Sequence, residues 1–364
     1  MEFLYETIAA VTWQQVIMWC LGALLIFLAI KKDMEPALLL PMGFGAILIN
    51  IPFSGAEGVM SSLFAIGIEM NEIMPLVLFI GIGAMIDFGP LLSNPKLFLF
   101  GGAAQFGIFL TILLAAACGF SIEDAASIGI IGAADGPTSI VVAQTLKSNY
   151  GGPIMVVAYS YMALVPIIQP AVIKLTTTKK ERLIHMEYKP ASVSKRTKIL
   201  FPILVTIVSG LIAPASLSLV GMLMFGNLIR ECGVLNYLTD TAKDVLTNLV
   251  TLFLGITIAF TMKAENFITV QTLMIMGLGL CAFIFDTFSG VMLAKVMNLF
   301  LKEKINPMIG AAGISAFPMS ARIVQKMGIK EDPTNHLLMH AVGANVSGQI
   351  ASAIVGGLII GLVL

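Results

Sequence analysis

The stretch that decides how this chain is read is GAADGPTSI, residues 132 to 140, an apolar segment interrupted by Asp135, Gly136 and Pro137. A carboxylate near the centre of a bilayer costs roughly 2.5 to 3.5 kcal/mol on insertion scales, so its retention there points to a role. Pro137 lacks an N–H and clashes with the preceding turn, which leaves carbonyl oxygens without helical partners beside the negative charge. The carboxylate, the hydroxyls of Thr138 and Ser139 and the freed carbonyls make a set of oxygen ligands suited to a hard monovalent cation such as Na+. The structural alternative is that Asp135 caps the helix after it, a task that Ser or Asn performs without the cost of a charge.

The rest of the chain supplies the bilayer. Of its 364 residues 58% are hydrophobic and 12% charged, and the mean hydropathy is +0.96. Soluble domains carry about 25% charged residues, so the composition indicates a multi-pass membrane protein. With 21 basic and 21 acidic residues there is no basic surplus for nucleic acid. Cys20, Cys118, Cys232 and Cys281 each stand alone in apolar runs and read as packed thiols. The run 16–30 is followed by Lys31 and Lys32 with no basic residue before it, the reverse of a signal peptide, and reads as a first span with its N-terminus outside.

Apolar segments fall at about 16–30, 36–52, 73–90, 97–118, 153–174, 199–213, 214–230, 246–262, 268–293 and 336–363, while 125–146 and 306–327 are broken by Gly, Pro and polar residues. If both broken segments return to the side they entered from, every Lys and Arg except Lys147 and Lys263 lies inside. A single crossing by 125–146 would instead put the basic hinge 175–198 outside. The expected fold is therefore all-α and polytopic, with about ten transmembrane helices plus two re-entrant helical hairpins, the first entered from outside and the second from the cytoplasm. The two halves, 1–174 and 199–364, then run in opposite directions about a cytoplasmic hinge. Gly132, Pro137, Ser139 and Gln144 recur as Gly313, Pro318, Ser320 and Gln325, an offset of 181, which favours an inverted repeat with its site where the broken elements meet.

The second broken element contributes Asn306, Ser315, Ser320 and Arg322. Arg322 suits a carboxylate ligand held by two hydrogen bonds, or equally a side chain snorkelling to the interface. The last span carries GANVSGQIAS, where small residues argue for close packing and Asn345 is the residue that packing explains least. Tyr161 is a candidate proton donor or a packed tyrosine, Asp286 lies within 268–293, and His336 and His340 read as interfacial. No nucleotide-binding glycine motif, nucleophile elbow or zinc signature is present, so ATP does not drive this chain.

GAADGPTSI, GISAFPMSARIVQ and LLMHAVGANVSGQI together resemble the beta subunits of the biotin-dependent, sodium-translocating decarboxylases, a group acting on oxaloacetate, methylmalonyl-CoA or glutaconyl-CoA. The resemblance spans nearly the whole chain. It implies decarboxylation of carboxybiotin, presented from the cytoplasm by a partner, coupled to outward movement of Na+, which also activates the reaction. The proton consumed would come from the opposite side. It also implies biotin carrier and carboxytransferase partners, a small membrane auxiliary subunit and a homo-oligomeric, trimeric core in the cell membrane. Residue by residue, the family's essential aspartate falls on Asp135, its intramembrane tyrosine on Tyr161, its second-hairpin series on Asn306, Gly310, Ser315 and Arg322, and its last-helix asparagine on Asn345. Ala134, and Ser347-Gly348-Gln349, depart from the familiar pattern. The expectation is that Asp135, Thr138, Ser139, Asn306, Gly310, Ser315 and Asn345 hold Na+, that Arg322 attracts carboxybiotin, and that Ser315 or Tyr161 relays the proton. A sodium-coupled solute symporter is the competing reading.

Overall fold

The computed structural model describes residues 2–32, 34–188 and 193–364, and every regular element among them is a helix. Lys189, counted above among the basic residues of the hinge, lies outside the described residues. The first half holds α1 (Trp13–Lys32), α2 (Pro36–Ile49), α3 (Ile73–Met85), α4 (Pro95–Ala117), the broken pair α5 (Ile122–Gly129) and α6 (Gly136–Thr145), and α7 (Gly151–Thr176). The second repeats that order with α8 (Lys195–Ile212), α9 (Leu217–Cys232), α10 (Asn236–Ala259), α11 (Val270–Phe300), the broken pair α12 (Met308–Ala311) and α13 (Met319–Glu331), and α14 (Leu338–Val363).

Six of these, α1, α4, α7, α10, α11 and α14, are long and apolar enough to cross a membrane. The segment Ala56–Glu69, bent by 63° from α3, makes a seventh if the pair is one span. The chain is thus an all-helical, polytopic membrane protein, and about ten spans is more than length and apolarity alone deliver. The remainder, α2, α8 and α9, are shorter or more polar: α2 has 14 residues, and α8 opens with Lys195, Arg196 and Lys198. Lys195 and Arg196 are exposed and Lys198 is paired with Asp87, so charged residues can form the first turn and the helix is longer than its hydropathy run from residue 199.

Contacts are exchanged between the halves in matching ways. The Asn50 amide, at the end of α2, donates to the carbonyl of Met262 (2.8 Å), and the Asn227 amide, on α9, donates to that of Ile86 (2.8 Å). The two asparagines are 177 positions apart (227 − 50), and their acceptors 176 (262 − 86). Ser347 of α14 bonds the Leu97 carbonyl of α4 (2.9 Å), while Tyr161 of α7 lies against Gly279 of α11. Lipid chains are as apolar as Leu, so close backbone approach rather than burial from water drives such packing. Gly290 and Gly310 show the limit: a Cβ on either would lie 2.1 or 2.0 Å from the carbonyl oxygen of the other.

Ion pairs gather at the end of the molecule carrying the hinge. Lys198 bonds Asp87 (3.1 Å), Arg230 stands between Asp87 and Glu231, Arg182 bonds Glu331 (2.8 Å), and Lys295 bonds Glu181 (3.0 Å). Burial pushes the Asp87 carboxyl up, but the Gly89 N–H, Lys198 and Arg230 outweigh it and hold the group below the usual carboxylate range.

Candidate functional site

The two broken hairpins meet, and proline chemistry explains how. In an unbroken helix the N–H of residue 137 would bond the carbonyl of Ala133; Pro137 has none to offer. The chain turns there through Ala134 in the left-handed region (φ 52°) and an extended Asp135 before α6 begins. The freed Ala133 oxygen accepts instead from the N–H (3.1 Å) and hydroxyl (2.8 Å) of Ser315, in the other hairpin. Pro318 in the same way frees the carbonyl of Ile314, which accepts from the amide of Asn345 (2.6 Å). Each break is thus closed by a polar group from a distant part of the chain, as buried backbone requires.

Asp135 lies in this crossing and is 3% exposed. It occupies the N-cap position of α6, yet its side chain accepts no capping bond from the first-turn N–H groups. Three other donors converge on Oδ2: the hydroxyl of Thr138 at 2.6 Å, the amide of Gln349 at 3.0 Å and the hydroxyl of Ser352 at 3.3 Å. No basic side chain pairs with it among the described residues. The Ser139 hydroxyl donates to the Asp135 carbonyl (3.0 Å). The ring of Tyr159 lies where a side chain on residue 136 would be, its ring carbons 2.3 to 2.6 Å from a Cβ built there, so only glycine fits. The Tyr159 hydroxyl and the Asn345 Oδ1 are buried without a partner among the described residues.

Chemically the donor set is one carboxylate with neutral oxygens. Such a set has the chemistry that a hard monovalent cation takes, and among the described residues no group of three or more His, Cys, Asp or Glu gathers. A hydroxyl that donates to Asp135 also carries two lone pairs, so Thr138 and Ser352 have the chemistry to face a cation as well. The carboxylate supplies the balancing charge.

Of the residues expected from sequence, Asp135, Thr138, Ser139, Ser315 and Asn345 are drawn together by these bonds. The others stand elsewhere. Asn306 donates to the carbonyls of Arg182 (2.8 Å) and Ile184 (2.9 Å), tying the start of the second hairpin to the hinge. Gly310 packs on Gly290, the Tyr161 hydroxyl donates to the carbonyl of Met276, and Arg322 is exposed on α13 with no ion-pair partner among the described residues. Near the hinge a cavity of about 870 Å³ is lined by Lys96, His185, Tyr188, Lys302, Lys304 and His340, among others.

Four residues enter that sequence reasoning passes over or reads as packing: Tyr159, Gln349, Ser352 and Gln169. The Gln169 amide, on α7, reaches the Ser320 hydroxyl (2.6 Å) and the Ala311 carbonyl (2.8 Å) of the second hairpin. It mirrors Gln349 reaching Asp135 in the first, 180 positions later (349 − 169). That recurrence is the signal by which both glutamines were detectable.

Residues 14–363 match the family described as the Na+-transporting oxaloacetate decarboxylase beta subunit. Over 95% of its length the chain is 50% identical to the methylmalonyl-CoA decarboxylase subunit beta of Propionigenium modestum, covering 94% of that protein. It is 48% identical to the glutaconyl-CoA decarboxylase subunit beta of Acidaminococcus fermentans, with 97% of this chain and 94% of the relative aligned. The oxaloacetate decarboxylase beta chain of Klebsiella pneumoniae is 43% identical, with 96% and 95% aligned.

Proposed function

Because the chain belongs to the family of beta subunits of the Na+-transporting decarboxylases, we propose that it decarboxylates carboxybiotin carried by a partner and couples that reaction to outward Na+ transport. It is then the membrane subunit of a primary sodium pump. The observation that carries this reading is the convergence of Thr138, Gln349 and Ser352 on Asp135, at the point where the two hairpins exchange bonds. A symporter could be built on such a site, but the relatives named above, aligned over 94–95% of their length, are decarboxylase subunits.

In this mechanism Na+ enters from the cytoplasm and is held by the Asp135 carboxylate with the oxygens of Thr138, Ser139, Ser352 and Asn345. Carboxybiotin approaches through the cavity beside the hinge, lined by Lys96, Lys302 and Lys304 against Glu187 and Glu303, and Arg322, which lies outside that lining, attracts its carboxylate. The N–C bond breaks, CO2 leaves, and the electron pair stays on the ureido nitrogen, which must take a proton. Ser315, between the hairpins, and Tyr161 are the proposed relay. Asn306 and Gly310 act at the root of the second hairpin, the first through the hinge and the second through α11.

The proposed topology has ten spans, counting α2, α3, α8 and α9, and two hairpins in an inverted repeat, with the N-terminus outside and the hinge 175–198 cytoplasmic. Supporting it are the exchanged Asn50 and Asn227 contacts, the paired glutamines and the shared order of elements. A biotin carrier, a carboxytransferase, a small membrane subunit and a trimeric core complete the proposed assembly.

The test is Asp135→Asn in the reconstituted complex. Na+-stimulated decarboxylation of free carboxybiotin and radioactive Na+ uptake both fall to background if Asp135 holds the ion. Retention of either at a substantial level would sink the assignment.

A further inference from the structure

Asp286 is the most deeply buried carboxyl among the described residues, and the mechanism leaves it unused. It sits in the middle of α11, is 0% exposed, and neither of its oxygens makes a well-formed hydrogen bond among the described residues, although the backbone N–H groups of Gly107 and Ile108 in α4 face the carboxyl. Two glycines make room for it. A Cβ on Gly107 of α4 would lie 2.4 Å from Oδ1, and a Cβ on Gly132, in the turn before Asp135, would lie 2.4 Å from Oδ2. The carboxyl is therefore clamped between a spanning helix and the tip of the first hairpin.

Its surroundings offer no countercharge. The titratable and charged groups on the elements packed here lie elsewhere along them. They are Lys96 at the start of α4, Glu123 and Asp124 in the first turn of α5, and Tyr159, Tyr161 and Lys174 on α7. Asp124 is occupied by Ser148 and Asn149, and the Tyr161 hydroxyl by the carbonyl of Met276. On α11 itself there are Cys281 and Lys295, the latter paired with Glu181. A buried carboxylate with no cation beside it and no well-formed hydrogen bond to offset its burial takes up a proton rather than bear the desolvation of its charge.

We propose that Asp286 is a proton-binding site coupled to the first hairpin, filled while Gly132 rests against it. Gly132 precedes Asp135 by three residues, so a movement of the hairpin tip on Na+ binding lifts the Gly132 backbone from the carboxyl and opens it to water. Proton occupancy at Asp286 and cation occupancy at Asp135 are then linked through one short turn. The proton site stands on the geometry alone; its use in pumping rests on the function proposed above.

Infrared difference spectroscopy of the detergent-solubilised full chain separates the two. The expected result is a protonated-carboxyl band at neutral pH that Asp286→Asn removes, Asp135→Asn retains, Gly132→Ala shifts and added Na+ diminishes. In the reconstituted complex, Asp286→Asn is expected to slow radioactive Na+ uptake by roughly tenfold or more and to flatten its pH dependence. Absence of an Asp286-dependent band would overturn the proposal, making the group an ionised cap for the helix Phe106–Ala117 that begins after the break at Gln105. A band present with unchanged uptake and pH profile would overturn the coupling. Should Asp286→Asn fail to fold, the response of the wild-type band to Gly132→Ala and to Na+ decides the same question.

Discussion

Thr138→Val removes one hydroxyl and keeps the shape of the side chain. That hydroxyl makes the shortest of the three bonds to Asp135 Oδ2, 2.6 Å against 3.0 Å from Gln349 and 3.3 Å from Ser352. A hydrogen bond to a charged group contributes about 1.5 to 3 kcal/mol. At about 1.4 kcal/mol per factor of ten, its loss weakens Na+ binding by about 10- to 100-fold, provided the same oxygen turns to ligate the ion. Ser352→Ala deletes a bond to the same oxygen that at 3.3 Å is stretched and so weakened to about 0.5 to 1 kcal/mol, and is expected to cost about two- to fivefold. The assay is the Na+ concentration giving half-maximal decarboxylation of free carboxybiotin, read beside radioactive Na+ uptake in the reconstituted complex. Thr138→Val should raise that concentration with little change in the rate at saturating Na+, because uniform ion binding is lost and chemistry is not. An unchanged half-saturation in Thr138→Val, or a larger shift in Ser352→Ala, would refute the reasoning that bond geometry around Asp135 sets affinity.

Two further expectations concern the hinge end. The Asp87 carboxyl is held below its ordinary range, so the stability it adds is full above its unfolded pKa, roughly 4, and is lost as pH falls through the lower folded value. Asp87→Asn should therefore lower the thermal midpoint in detergent at neutral pH, with the two proteins converging under acid; a constant gap at all pH values would contradict it. Asn306→Ala deletes two bonds to hinge carbonyls, about 2 kcal/mol together, and should raise the rate of limited tryptic cleavage after Arg182 by up to roughly 30-fold, whereas an unchanged rate would show that Asn306 does not hold the hinge.

What could be read in advance and what could not follows from the kind of signal each residue leaves. Asp135 and Pro137 were legible because a charge and a missing N–H in an apolar run have few explanations, and Pro318 marked the second break, within which Ser315 was one of four polar candidates. Which side chain would answer each freed carbonyl was not legible, since Asn345 reaches Ile314 across 31 positions. Tyr159 stands two residues before Tyr161, and hydropathy treats both alike; only the helix rotation decides that the first faces Gly136 and the second Met276. Gln349 was hidden by the small residues around it, which account for α14 as a packing helix without it. Asn306, expected beside Asp135, serves the hinge instead, because a polar residue at the start of a hairpin reads the same whether it faces inward to an ion or backward to a loop. Span boundaries slipped where basic residues extend a helix past its apolar run, as in α8.

Asn306 uses both hydrogens of its amide on the carbonyls of Arg182 and Ile184, so the hinge and the base of the second hairpin are tied directly to each other. A carrier that grips the hinge would act on the ion gate as a hand acts on a lever, with no intervening relay. In the proposed pump the same linkage would serve as a brake when no carrier grips the hinge: the hairpin would stay tied down, and the accumulated sodium gradient would not drain back through the machine that made it.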